Sequence, residues 1–136
     1  MNLEQYLRQA RTIAVLGAHP DPARAAYFVP EYLRRVGYRI LPVNPYFAGQ
    51  ELFGESVVAG LEEISVPVDI LDIFRPSSAL MEHLEAILKL RPGLVWLQSG
   101  IRNDAFAQQL EQAGIAVVQD RCLMVMHRSL RSKGAI

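Results

Sequence analysis

The sequence predicts an α/β fold: one doubly wound parallel sheet of about five strands, with helices on both faces. Three observations predict it. Short apolar runs of strand length (TIAVL, YRILPV, VDILDIF, GLVWL and IAVV) alternate with amphipathic or irregular stretches long enough for crossovers. The first run, TIAVL, is apolar on both faces, as in a buried parallel strand. The 136 residues, 51% of them hydrophobic, suit one domain spanning 1–136 with a substantial core.

In chain order, residues 1–11 hold a short amphipathic helix, Asn2 to Ala10. Asn2 is its N-cap with Gln5 three residues on, and Leu3, Tyr6 and Leu7 share a face. Thr12 to Leu16 is the first strand. Gly17 then permits a tight turn, and His19-Pro20-Asp21-Pro22 forms a rigid loop. A helix carrying Tyr27, Phe28, Tyr32, Leu33 and Val36 follows. Pro30 is tolerated without loss only in a first turn, so the regular helix is expected to begin near Ala26 to Val29. Gly37 stops it.

Tyr38 to Val43 is the second strand, ended by Asn44-Pro45. Tyr46 to Gly60 reads as irregular, with a short helix at Leu61 to Ile64 before Pro67. Its apolar residues suit either a cover for the core or a dimer contact. Val68 to Phe74 is the third strand. A serine N-cap in Arg75-Pro76-Ser77-Ser78 is expected to open a helix to about Leu90. Gly93 to Leu97 is the fourth strand, leaving through Gln98 to Arg102. Asn103 caps a helix with Phe106 and Leu110 that Gly114 stops. Ile115 to Val118 is the fifth strand, and residues 122–131 form a last helix packed on the domain.

Several function classes are disfavoured. Fourteen basic and fourteen acidic residues give no net field toward nucleic acid or an anionic membrane. No apolar run reaches the roughly 18 residues of a membrane helix, and no signal-peptide pattern opens the chain. The single cysteine, Cys122, makes no internal disulfide. A soluble cytoplasmic protein is expected.

In a doubly wound sheet every strand's carboxyl end lies on one edge, where ligands bind. Gly17, His19 and Arg24 follow strand one, Asn44 strand two, and Arg75 strand three. Gln98, Gly100 and Arg102 follow strand four, and Asp120 and Arg121 strand five. The arginine fork suits phosphate. The turn after strand one also leads into a helix N-terminus, whose unpaired N–H groups bind anions. A nicotinamide fingerprint would need three spaced glycines and an acidic residue after strand two. Here GAHPDPAR has one glycine, the residue is Asn44, and no P-loop motif occurs.

The stretches GAHPDPARAAYFVPEYLRRVGYRILPVNP, VDILDIFR, VWLQSGIRND and VVQDRC, in this order, resemble the small bacterial and archaeal CoA-binding proteins. That single domain is similar to the CoA-binding domain of the succinyl-CoA synthetase α subunit. The resemblance covers about Thr12 to Met126. It implies a Rossmann-like fold and coenzyme A as cofactor. It implies that Gly17, Ala18, His19, Pro20 and Arg24 surround the CoA phosphates. Asn44 and Pro45 would lie beside the nucleotide with Phe74 and Arg75, and Gln98, Gly100 and Ile101 along the pantetheine arm.

A catalytic set is not visible. The ligases that carry this domain use further domains and a phosphorylated histidine, for which this chain is too short. His19 reads as a loop histidine, His83 as solvated on a helix, and His127 as part of the last helix. The three lack metal-ligand spacing, and no metal is expected. Cys122 fits either a small buried residue or a nucleophile at a helix start, where a CoA disulfide would be its sharpest use. Asp69 is expected in water at its strand's start, and Asp72 paired with an arginine or capping a turn. The expected function is binding of CoA or an acyl-CoA without catalysis. The alternatives are an NAD(P)- or CoA-thioester-dependent enzyme and a CoA-responsive regulator acting through a partner. The expected partner is the nucleotide cofactor, with no nucleic acid or membrane; a protein partner or homodimer stays open.

Overall fold

The computed structural model describes residues 1–136. Five parallel strands form one sheet: β1 (Thr12–Leu16), β2 (Arg39–Val43), β5 (Ile70–Ile73), β6 (Leu94–Leu97) and β7 (Ala116–Val118). Their spatial order is β2-β1-β5-β6-β7. The chain steps outward from β1 to β2, then returns past β1 to begin β5. The winding direction reverses between β1 and β5, which makes the gap beyond their carboxyl ends the switch point.

Alternation along the strands divides the core in two. Ile13, Val15, Ile70, Leu94 and Trp96 face α1 (Leu3–Gln9), α2 (Ala25–Arg35) and α5 (Leu123–Ser132), meeting Leu7, Val29, Leu33 and Leu123. Ala14, Leu16, Leu71, Ile73, Val95 and Leu97 face the other layer, α3 (Leu84–Leu90) and α4 (Asp104–Gln112). There they meet Leu80, Ile87, Phe106 and Leu110. The fold is thus α/β with helices on both faces, as the double-sided apolar strands predict.

Local signals account for most boundaries. The Asn2 side chain accepts the Gln5 N–H at 3.1 Å and opens α1. The Asn103 side chain does the same for Phe106 at 3.0 Å and opens α4. Gly37 and Gly114 take positive φ just past α2 and α4.

Several expectations are corrected. The segment expected to be irregular, Tyr46 to Gly60, contains a 3-10 turn at Pro45–Phe47 and a ribbon of β3 (Glu51–Leu52) with β4 (Glu55–Ser56). Phe53 and Gly54, both at positive φ, make its two-residue turn. Val58 then bridges Val43 and covers the open edge of β2. The segment from Ser77 to His83 is 3-10 before α3 begins, and its N-cap, Pro76, offers no capping side chain. The expected serine cap fails because the Ser77 hydroxyl is turned to accept the Arg102 N–H at 3.0 Å.

The two strand acids differ from expectation as well. Asp69 is not simply solvated. Its Oδ2 accepts the Arg11 and Thr12 N–H groups at 2.7 and 3.0 Å and ties the start of β5 to β1. Partial burial would raise its pKa; these hydrogen bonds outweigh that and hold it below the usual carboxylate range. Asp72 has neither an arginine nor a turn to cap. It is 0% exposed, and neither carboxyl oxygen has a partner. Burial alone holds it well above the usual carboxylate range.

Candidate functional site

The site is built where β1 and β5 end side by side. Gly17 has φ +92°, and a Cβ added there would stand 2.5 Å from the Phe74 carbonyl oxygen. Only glycine lets the two exits come this close. Asn44, leaving β2, accepts the Tyr46 N–H at 3.0 Å and donates to the Ala18 carbonyl at 2.9 Å. One end of its amide therefore caps the turn after β2 while the other braces the loop after β1.

That loop satisfies most of its own donors. The Gly17 N–H donates to Val43, and the Arg24 N–H to the Asp21 carbonyl. The Asp21 N–H donates to His19 Nδ1 at 3.0 Å, and the Ala23 N–H to Asp21 Oδ1 at 3.0 Å. Pro20 and Pro22 have no N–H. The His19 ring packs edge-on against Phe47, with centroids 4.8 Å apart.

The helix begins earlier than the proline argument predicts. α2 starts at Ala25, so Pro30 is interior, and the Ala26 carbonyl loses its helical donor. The His19 N–H replaces that donor at 3.3 Å. The proline survives in the helix because the loop supplies the missing hydrogen bond. The loop is in turn pinned to the helix it precedes. The same arrangement removes the Gly17 and His19 N–H groups from any phosphate. What remains without an intrachain partner is the Ala18 N–H and the first two of α2, Ala25 and Ala26.

Beside these donors lies a cavity of about 350 Å³. Ala25, Phe28 and Val29 of α2 line one side, and Phe74 and Arg75 from the β5 exit another. Gln98, Ile101 and Cys122 are among the residues that line the rest. A larger groove of about 750 Å³ runs between residues 61–66 and α3, but it lies off the carboxyl edge and carries Glu62, Glu82 and Glu85. Its acidic lining opposes an anionic ligand, so the smaller cavity is the candidate site.

Four predicted residues, Phe74, Arg75, Gln98 and Ile101, line this cavity. Gly17, Ala18, His19, Pro20 and Arg24 form the neighbouring loop. Asn44 acts as its brace, and Pro45 opens the 3-10 turn that begins there. Gly100 is not among the lining residues; its N–H donates to Asp120 Oδ1 at 2.7 Å and shapes the β6 exit. Sequence reasoning missed Ala25, Ala26, Phe28 and Val29 as site residues. The signal for the first two was the helix N-terminus itself, had its start been placed correctly.

Three of the four arginines beyond the strands are engaged with acids. Arg75 pairs with Glu82 at 3.1 Å, Arg24 with Asp21 at 3.8 Å, and Arg102 with Asp104 at 3.1 Å. Arg75 Nε is buried and unpartnered. His83 is half-buried rather than solvated, its Nε2 3.8 Å from Glu82. Burial lowers its pKa against the opposing pull of Glu82. His127 lies between α2 and α5, its Nδ1 2.8 Å from the Tyr32 hydroxyl, and burial lowers its pKa too. No three His, Cys, Asp or Glu side chains converge as metal ligands. No helix is long and apolar enough to cross a membrane.

The family model described as a CoA-binding domain matches residues 11–128, from the start of β1 into α5. The chain belongs to this CoA-binding domain family. The match includes every element that builds the cavity. Among relatives of this CoA-binding domain, the Bacillus subtilis (strain 168) uncharacterized protein YneT is 34% identical over 125 residues, 92% of this chain and 91% of its own. A Thermus thermophilus protein known as cell-free ID.343 is 65% identical in its solved structure, with a TM-score of 0.94 over 96% of this chain and 99% of its own. A hypothetical protein from Pyrococcus horikoshii OT3 is 30% identical, with a TM-score of 0.88 over 95% of this chain and 89% of its own. CoA binding is the general property that this family describes.

Proposed function

We propose that this chain binds coenzyme A, or an acyl-CoA, at the switch point and performs no turnover of its own. The observation that carries the reading is the pair of unpartnered N–H groups at the start of α2, those of Ala25 and Ala26, with Ala25 itself lining a largely apolar cavity. Main-chain donors at a helix N-terminus suit phosphates, and a largely apolar cavity beside them suits a pantetheine arm. Arg75 lines the cavity and Arg24 precedes Ala25 as the N-cap of α2, each with charge to add. Asn44 supports CoA over a nicotinamide dinucleotide: the position that would hold a ribose with a carboxylate carries an amide already engaged on Ala18 and Tyr46.

The test is calorimetric titration with CoA and with NAD, alongside mass spectrometry of small molecules released from freshly purified protein. CoA binding is expected and NAD binding is not. Arg75→Ala and Arg24→Ala should each weaken CoA by about ten- to a hundredfold, the range of a lost charged hydrogen bond. NAD binding in place of CoA, or folded arginine variants that bind CoA like wild type, would overturn the reading.

A further inference from the structure

Gln98 sits at the end of β6 and is 4% exposed, yet only half of its amide is satisfied. Its Oε1 accepts the Leu123 N–H at 3.1 Å, which fixes the amide's orientation. Its Nε2 has no acceptor within the chain, and Gln98 lines the cavity at the switch point. An amide anchored on a buried side chain, with its N–H group accessible from a cavity, is poised to donate to a ligand acceptor there.

Cys122 lines the same cavity, immediately before the residue that Gln98 holds. It is the N-cap of α5, a half-buried free thiol making no capping hydrogen bond. The Met124 and Val125 N–H groups of that first turn also lack intrachain partners. The preceding residue is held at both ends: the Trp96 indole donates to the Arg121 carbonyl at 2.7 Å, and the Arg121 N–H donates to Leu97 at 3.2 Å. The thiol is thus presented from a fixed backbone beside the open amide.

We propose that Cys122 is a thiol–disulfide exchange site for pantetheine-type thiols, with Gln98 Nε2 donating to the terminal amide carbonyl of the arm. That carbonyl is separated from its sulfur only by an N–H and a two-carbon chain, so one residue pair can hold both ends. The inference rests on the CoA reading above and adds a covalent step to it. The Cys122 thiolate attacks one sulfur of a CoA disulfide. The bond between the two CoA sulfurs breaks, a bond between Cys122 Sγ and one CoA sulfur forms, and the other CoA leaves as thiolate and takes up a proton. The exchange needs no further oxidant. It loads one arm per chain and is reversed by a reducing thiol.

The experiment follows intact mass after addition of CoA disulfide or of hydroxyethyl disulfide, which has no amide and no nucleotide. Free N-acetylcysteine is the reference thiol for both. The reduced wild-type protein is titrated in parallel with reduced CoA. A gain of one CoA less two hydrogen atoms is expected, absent in Cys122→Ser and reversed by dithiothreitol. The preference for CoA disulfide over hydroxyethyl disulfide should exceed that of N-acetylcysteine by about tenfold or more, the worth of one buried hydrogen bond plus the nucleotide contacts. Binding of reduced CoA without that preference, or without an adduct, overturns the exchange site and leaves the CoA reading standing. Failure of reduced CoA to bind overturns the CoA reading and the exchange site with it.

Discussion

Replacing Asp72 should stabilise the protein at neutral pH, by an amount that grows with pH. The carboxyl lies mid-strand in β5, between Val15 and Trp96 on the neighbouring strands, fully buried and without a hydrogen-bond partner. Its pKa is raised well above the usual range by desolvation alone, with no charged neighbour contributing. The sign follows from linkage. The unfolded chain loses this proton near pH ~3.9, whereas the folded chain keeps it to higher pH. Stability is therefore greatest below the unfolded value and falls as pH rises toward the folded one. The slope is about 1.4 kcal/mol per pH unit over that interval. Asp72→Asn keeps the shape and removes the titration; Asp72→Val also removes the unsatisfied polar group and suits a buried parallel strand. Urea unfolding of all three proteins from pH 4 to 8 isolates the effect, because the other titrating groups cancel in the differences. The wild type should lose stability relative to both variants as pH rises, with Asp72→Val the more stable. Parallel pH profiles, or a valine variant less stable than wild type throughout, would refute the picture of an unpaired, protonated acid.

Three other outcomes are expected. Gly17→Ala should destabilise the fold by more than about 2 kcal/mol, since it combines a left-handed φ with a 2.5 Å approach to the Phe74 carbonyl, and it should weaken CoA binding; thermal unfolding and calorimetry read both. Pro30→Ala restores a helical donor to the Ala26 carbonyl in competition with His19, so amide exchange at His19 should accelerate and CoA affinity fall while the helix is retained. Glu82→Gln releases Arg75 from its 3.1 Å ion pair and should tighten CoA by a few fold at low salt, fading as salt is added, since an exposed pair of this kind is worth at most about 1 kcal/mol.

The sheet was legible because its signals are local and repeated. TIAVL and GLVWL are apolar on both faces, and Asn2, Asn103, Gly37 and Gly114 punctuate the helices as their chemistry requires. The ribbon was not legible. Its turn uses Phe53 at positive φ, where the familiar signal would be asparagine or glycine, and its strands are two residues each. The start of α2 was misjudged for a related reason. The rule that excludes an interior proline counts hydrogen bonds within the helix, and here the compensating donor, His19, comes from outside it. Ser77 failed as a cap because a distant N–H, that of Arg102, took its hydroxyl. In the last two cases a tertiary partner overrides a local rule.

Three unusual positions lie together. Pro30 inside a helix, Gly17 against a carbonyl and Asp72 unpaired in the core lie on α2, at the β1 exit and on β5. Those three elements flank the point where the winding reverses. A chain selected for stability alone would have an easy remedy at two of the positions: alanine in the helix, and valine in the strand. The third, glycine, is required once β1 and β5 must end in contact. An interior proline, a close backbone approach and an unpaired buried acid thus gather at one corner of the sheet, beside the candidate site.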